Sequence, residues 1–209
     1  MDTQKRTRLQ WFVLSGLLGT VFYFLHVILG KLNYPNYHSL AQAVSDLTSA
    51  TAPSREIASA CSTISGYFTV TACTLCCVFY QNRVNKVFRA GIYLFTVMHW
   101  VSGVGYTLFS LSESGYAGAF QDIMHVIVTA IVVLLSIISM IFIIIGSFKG
   151  KVYKNWGIFT IVMLGIMAIG SIAMGIIPLA YFGVAERLGV YSVVIYTAGL
   201  FLFTFRYSE

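Results

Sequence analysis

QDIMHVIVTAIVVLLSIISMIFIIIGSFKG occupies residues 121–150, and its reading decides the fold. After Asp122 no Asp, Glu, Lys or Arg occurs until Lys149. A helix rises about 1.5 Å per residue, so about 20 apolar residues cross the roughly 30 Å of bilayer hydrocarbon. The stretch exceeds that length and reads as a membrane-spanning helix with an aspartate and a histidine at its head.

Working outward, residues 9–30, 57–81, 90–112, 157–182 and 186–206 meet the same requirement, and the span in the quoted stretch covers 121–147. The composition agrees. With 58% hydrophobic and 10% charged residues over 209 positions, there are too few polar side chains to cover a soluble globule. The expected fold is therefore all-α, a polytopic integral membrane protein built as a six-helix bundle. The first span follows Lys5, Arg6 and Arg8 but lacks a small-x-small cleavage site, so it reads as a retained helix. The connections 82–89 and 148–156 are short, which implies antiparallel neighbours in one membrane domain covering residues 1–209.

The cations set an expected orientation, because Lys and Arg are retained on the cytoplasmic side. Lys5, Arg6, Arg8, Arg83, Lys86, Arg89, Lys149, Lys151, Lys154 and Arg206 fall on the side of the two termini, and only Lys31, Arg55 and Arg187 on the other. This predicts N-in/C-in topology in the cytoplasmic membrane. It also explains the net charge of +6 through topology and anionic lipid, with no call on nucleic acid. Cys61, Cys73, Cys76 and Cys77 all lie in the second span, where a thiol packs as a small apolar group.

The loop 31–56 is too long for a turn and rich in small apolar residues. Ser39 followed by Gln42 resembles a capping box, and Leu40, Val44 and Leu47 recur at helical spacing, which predicts a short rim helix. Within the spans, small and polar residues should mark the packed faces, with Ser62/Gly66 and Ser171/Gly175 as examples.

Ionisable groups at membrane depth cost a few kcal/mol on insertion scales, so their positions carry information. Asp122 and His125, at i and i+3, share one helix face. His26 lies at a matching depth, Ser45 and Asp46 come from the long loop, and Glu186 and Arg187 open the last span. Together these seven predict an outward-facing polar pocket. Asp122 also suits a simple capping role at a helix N-terminus, and His99 suits a contact between helices.

The stretches YPNYHSLAQAVSDL (34–47), DIMH (122–125) and GVAERLGVYSVVIY (183–196) resemble the uncharacterised prokaryotic membrane family known as domain of unknown function 998. The resemblance implies a small protein of roughly six spans, with Tyr34, Pro35, Ser45, Asp122, His125, Glu186 and Arg187 at recurrent polar positions. It brings no established reaction. Asp46 stands where that family suggests glutamate, and Tyr191 and Tyr196 where tryptophan is frequent.

Four functions compete. The leading one is binding of a lipid headgroup or small amphipathic ligand in the outward pocket, which suits an aromatic content of 15%. A membrane hydrolase acting on an outer-leaflet substrate would hold zinc through His26, Asp122 and His125, with Asp46 as an alternative carboxylate. A haem protein would use His26 and His125 as axial ligands, and proton-coupled transport would use His99 as its relay.

Overall fold

The computed structural model describes residues 6–149 and 153–207. Lys5 and Lys151, two of the cations used for orientation, lie outside them. Six long helices dominate: α1 (Arg8–Leu32), α2 (Arg55–Phe79), α3 (Lys86–Leu108), α4 (Phe120–Lys149), α5 (Lys154–Ala173) and α6 (Phe182–Arg206). Each lies in a span long and apolar enough to cross a bilayer, and no strand occurs among the described residues. The chain is a multi-pass membrane protein.

Local sequence sets the helix ends. Thr7 and Gln10 form a reciprocal capping box before α1, and Asn85 caps α3 by accepting the Phe88 backbone N–H at 3.0 Å. At 30 residues α4 is roughly 45 Å long, longer than the roughly 30 Å of hydrocarbon it has to cross. The fifth span, expected to reach 182, stops at Ala173. The chain then turns through Gly175 and Pro178 into a 3-10 turn at Leu179–Tyr181, because proline blocks the ladder and fixes the next bend.

Consecutive helices pack side by side, and α6 returns to α1, so the six close into a ring, with α6 also reaching α2. The start of α1 and the end of α6 meet on one face, where the Gln10 amide donates to the carbonyls of Thr204 at 3.1 Å and Tyr207 at 2.9 Å. This is the terminal face. The opposite, loop face carries residues 33–54 and 109–119.

The two halves differ. Towards the terminal face the interior is an aromatic core of Phe79, Tyr80, Phe88, Phe95, Trp156 and Phe201. Trp156 stacks on Phe203 with ring centres 4.7 Å apart. At the loop-face end the buried hydrophobic cluster shrinks to Tyr37, Leu47 and Ala58, and polar side chains take over. Between α5 and α6 the backbones touch: a Cβ on Gly170 would sit 2.4 Å from the Gly189 backbone nitrogen.

Candidate functional site

The loop 33–54 does not form the expected rim helix. Its backbone is a series of turns with one 3-10 turn at Ser45–Thr48. The reason is where its amides go. Gln42 Oε1 accepts the His38 backbone N–H at 2.8 Å, Asp46 Oδ2 accepts that of Ala43 at 2.9 Å, and Glu186 Oε2 accepts that of Val44 at 3.1 Å. Donors claimed by side chains cannot feed a helical ladder.

The result is a plug over the loop face, tied to the bundle on two sides. Towards 109–119, Asp46 Oδ1 accepts the Gly115 N–H at 3.1 Å, the Ala50 N–H donates to Leu111 O at 2.8 Å, and Gln42 Nε2 donates to Ser114 Oγ at 3.0 Å. Towards α6, Val184 N–H donates to Leu40 O at 3.2 Å, and Arg187 Nη1 donates to Ser39 O at 2.6 Å and Gln42 O at 2.8 Å. Arg187 also donates to the Tyr37 hydroxyl, whose own proton goes to Ala43 O at 2.6 Å. Burial pushes the Tyr37 phenol up, against the lowering effect of Arg187, so it stays protonated at neutral pH and serves as both donor and acceptor. Close approach here needs Gly183, since a Cβ would lie 2.3 Å from Gln42 O.

Asp122 is fully buried and accepts hydrogen bonds from the Ser112 N–H at 2.7 Å, the Ser112 hydroxyl at 2.8 Å and the Ala119 N–H at 3.1 Å. The bond to Ala119 is the backward half of a capping box, and the other two fold the 109–119 connection onto the head of α4. An aspartate heads the long apolar run because it ties down the loop before it.

His125 lies one turn further along. Its Nδ1 is 2.8 Å from Phe109 O, which assigns the proton to Nδ1, and its ring lies 4.9 Å from that of Tyr106. Ser45 accepts the Thr48 hydroxyl at its carbonyl. His99 Nε2 meets Thr197 Oγ1 at 3.1 Å, a bridge from α3 to α6.

His26 is different. It is 4% exposed, and among the described residues no group hydrogen-bonds to either ring nitrogen. Its ring meets that of Tyr23 edge-on at 5.5 Å.

The residues singled out in the sequence therefore gather at one end of the bundle but do not line an open polar pocket together. Asp46, Glu186 and Arg187 join in the plug, Asp122 and His125 hold the neighbouring connection, and His26 stands apart. Among the described residues no group of three or more His, Cys, Asp or Glu is placed to hold a metal ion, so His26, Asp122 and His125 do not form the expected ligand set.

A groove of about 400 Å³ lies between α5 and α6. Met163, Ile166, Leu188 and Ile195 give it apolar walls, and Arg187 and Tyr191 stand beside them. The guanidinium donates to the carbonyls of Ser39, Gln42 and Gly183, the last at 2.8 Å, and to the Tyr37 phenol. Sequence reasoning missed the groove, because its lining is spread over two helices and looks like ordinary lipid-facing surface. It also passed over Tyr37, whose only signal was its place inside the quoted 34–47 stretch.

A family model described as protein of unknown function (DUF998) matches residues 17–202, and the chain belongs to that family. No curated protein and no solved structure matches it.

Proposed function

We propose that this member of the family is a binding protein of the cytoplasmic membrane, holding a small amphipathic ligand with an anionic head at Arg187 and its tail in the α5–α6 groove. The observation that carries the reading is an apolar groove with Arg187 among its lining residues, whose guanidinium hydrogen-bonds to neutral oxygens of the plug and of Gly183. Arginine presents five donors in a fixed fork that matches a phosphate or carboxylate, here beside the carboxylate of Glu186. The volume suits one acyl chain or a small amphipath. The plug closes the loop face above, which favours entry sideways from the bilayer.

The test is thermal unfolding of the purified protein in neutral detergent with added phosphatidylglycerol or phosphatidylcholine. Phosphatidylglycerol is expected to stabilise by about 2.7 kcal/mol at a hundredfold excess over its dissociation constant, and Ile195→Trp, which fills the groove without touching the plug, to abolish the difference. Equal response to both lipids in the wild-type protein sinks the reading.

The cation distribution supports both termini lying in the cytoplasm. Ala50 is exposed on the loop face, while Cys61, Cys73 and Cys76 are buried and Cys77 half-buried, so background labelling is low. Ala50→Cys is expected to react with a membrane-impermeant maleimide in intact cells. Reaction only after the membrane is broken would reverse the orientation.

A further inference from the structure

Of the three connections on the loop face, the one between α5 and α6 is unlike the other two. Residues 33–54 and 109–119 present Asn33, Asn36, His38, Thr51 and Glu113 on their exposed surface, as segments standing in water do. Residues 174–181 instead present Ile176, Leu179 and Tyr181, which are 76%, 81% and 54% exposed, with Pro178 between them. Exposed apolar clusters of this kind mark a membrane or protein contact. No Asp, Glu, Lys, Arg or His occurs between Lys154 and Glu186, so on this flank no charge marks a water boundary once α5 has begun. The 20 residues of α5 rise roughly 30 Å, the thickness of the hydrocarbon alone.

The backbone of the connection also suits a medium without water. Met174 N–H donates to Gly170 O at 3.1 Å, Gly175 N–H to Ile172 O at 3.1 Å, and the N–H groups of Ile176 and Ile177 both to Ala173 O at 3.0 Å. Pro178 has no N–H to satisfy. The chain leaves α5 with these donors already spent, which hydrocarbon demands and water does not. The side chains continue a lipid-facing line. Ile169 and Ile172 on α5 are each 62% exposed, and Ile176 follows four residues on.

We infer that residues 174–181 form a wedge set into the leaflet on the loop face, with Ile176 and Leu179 among the acyl chains and the Tyr181 phenol at headgroup level, while 33–54 and 109–119 stand in water. Acyl chains are the occupant because the patch is continuous with the lipid-facing side of α5 and carries no charged or amide side chain to set the register of a protein partner. A tyrosine at the rim fits the same surface, since its ring is apolar and its hydroxyl seeks water. The wedge lies beside the loop-face end of the α5–α6 groove, which Val184 lines, and it stands whether or not that groove takes a ligand.

Nitroxide labels on the full chain, in vesicles of equal parts phosphatidylglycerol and phosphatidylcholine, test the depth. Oxygen concentrates in hydrocarbon and a nickel chelate in water. Relaxation of labelled Leu179→Cys by oxygen is therefore expected to exceed that by the chelate several-fold, and Ile176→Cys should agree. Ala50→Cys and Glu113→Cys, exposed on the other two connections, should show the reverse. The protein without an introduced cysteine gives the background from Cys77, the half-buried native thiol. Chelate-dominated relaxation at 176 or 179 puts the connection in water and overturns the wedge, and so does oxygen-dominated relaxation at all four positions. Low access to both reagents at 176 and 179 puts the patch in a protein contact, with a second copy if the spins broaden one another, and overturns it equally.

Discussion

Replacing Arg187 by methionine is expected to detach the plug. The substitution keeps much of the apolar stem but removes every donor, so Ser39 O, Gln42 O and the Tyr37 hydroxyl lose their partner on α6 together. Hydrogen bonds to a charged group contribute about 1.5–3 kcal/mol each, and several of these share one nitrogen, so a loss of about 3 kcal/mol is expected. Hydrogen exchange should show where. Amides of 33–54, such as Ala43 and Val44, should lose protection while those of the aromatic core hold theirs. Arg187→Lys should rescue little, because a point ammonium cannot serve carbonyls and a phenol spread across a planar fork. Unchanged protection at Val44 in Arg187→Met would show that the plug is held by other contacts.

The second large effect is expected at the seat of α5 on α6. Gly170→Leu places a side chain where Gly189 N lies 2.4 Å and Ala185 O 2.8 Å from the first added carbon. Both are backbone atoms of a helix, so rotamer changes cannot relieve the clash and the helices must separate. Overpacking of this kind costs about 3 kcal/mol or more. The fall in thermal stability should exceed that of Gly165→Leu on the same helix, where the added carbon meets nothing within 4 Å. Equal effects of the two substitutions would mean that helix propensity, not contact, sets the cost.

The six spans were legible because length and apolarity act alone: 20 residues of hydrocarbon-compatible sequence have few alternatives to a helix. Faces were less so. In α2 the stripe through Ser62 and Gly66 was the natural choice, yet Ser65 is the buried residue, donating to Gly19 O at 2.8 Å, while Gly66 faces open space. Steps of three and four leave neighbouring registers nearly equivalent, and the partner helix decides between them. In α5 the same ambiguity placed Ser171 and Gly175 ahead of Gly170.

At the loop face the sequence pointed to Asp46, Asp122, Glu186 and Arg187, but not to what they hold. Their partners are backbone groups of Ala43, Val44, Ser112, Gly115, Ser39 and Gln42. Backbone amides are the same at every position and leave no trace in residue letters. Four polar residues at one end therefore read as a pocket when they act largely as ties.

The closing contact of the ring has a consequence for biosynthesis. Spans emerge from the ribosome in order, and the helix that joins the first span to the fifth is the last to appear. Until then the Tyr80 hydroxyl lacks Thr204 Oγ1, its partner at 2.9 Å, and the Gln10 amide lacks the carbonyls it caps. A bundle of the first five spans therefore has an open seam lined by unmatched polar groups, and it is arrival of α6 that shuts it.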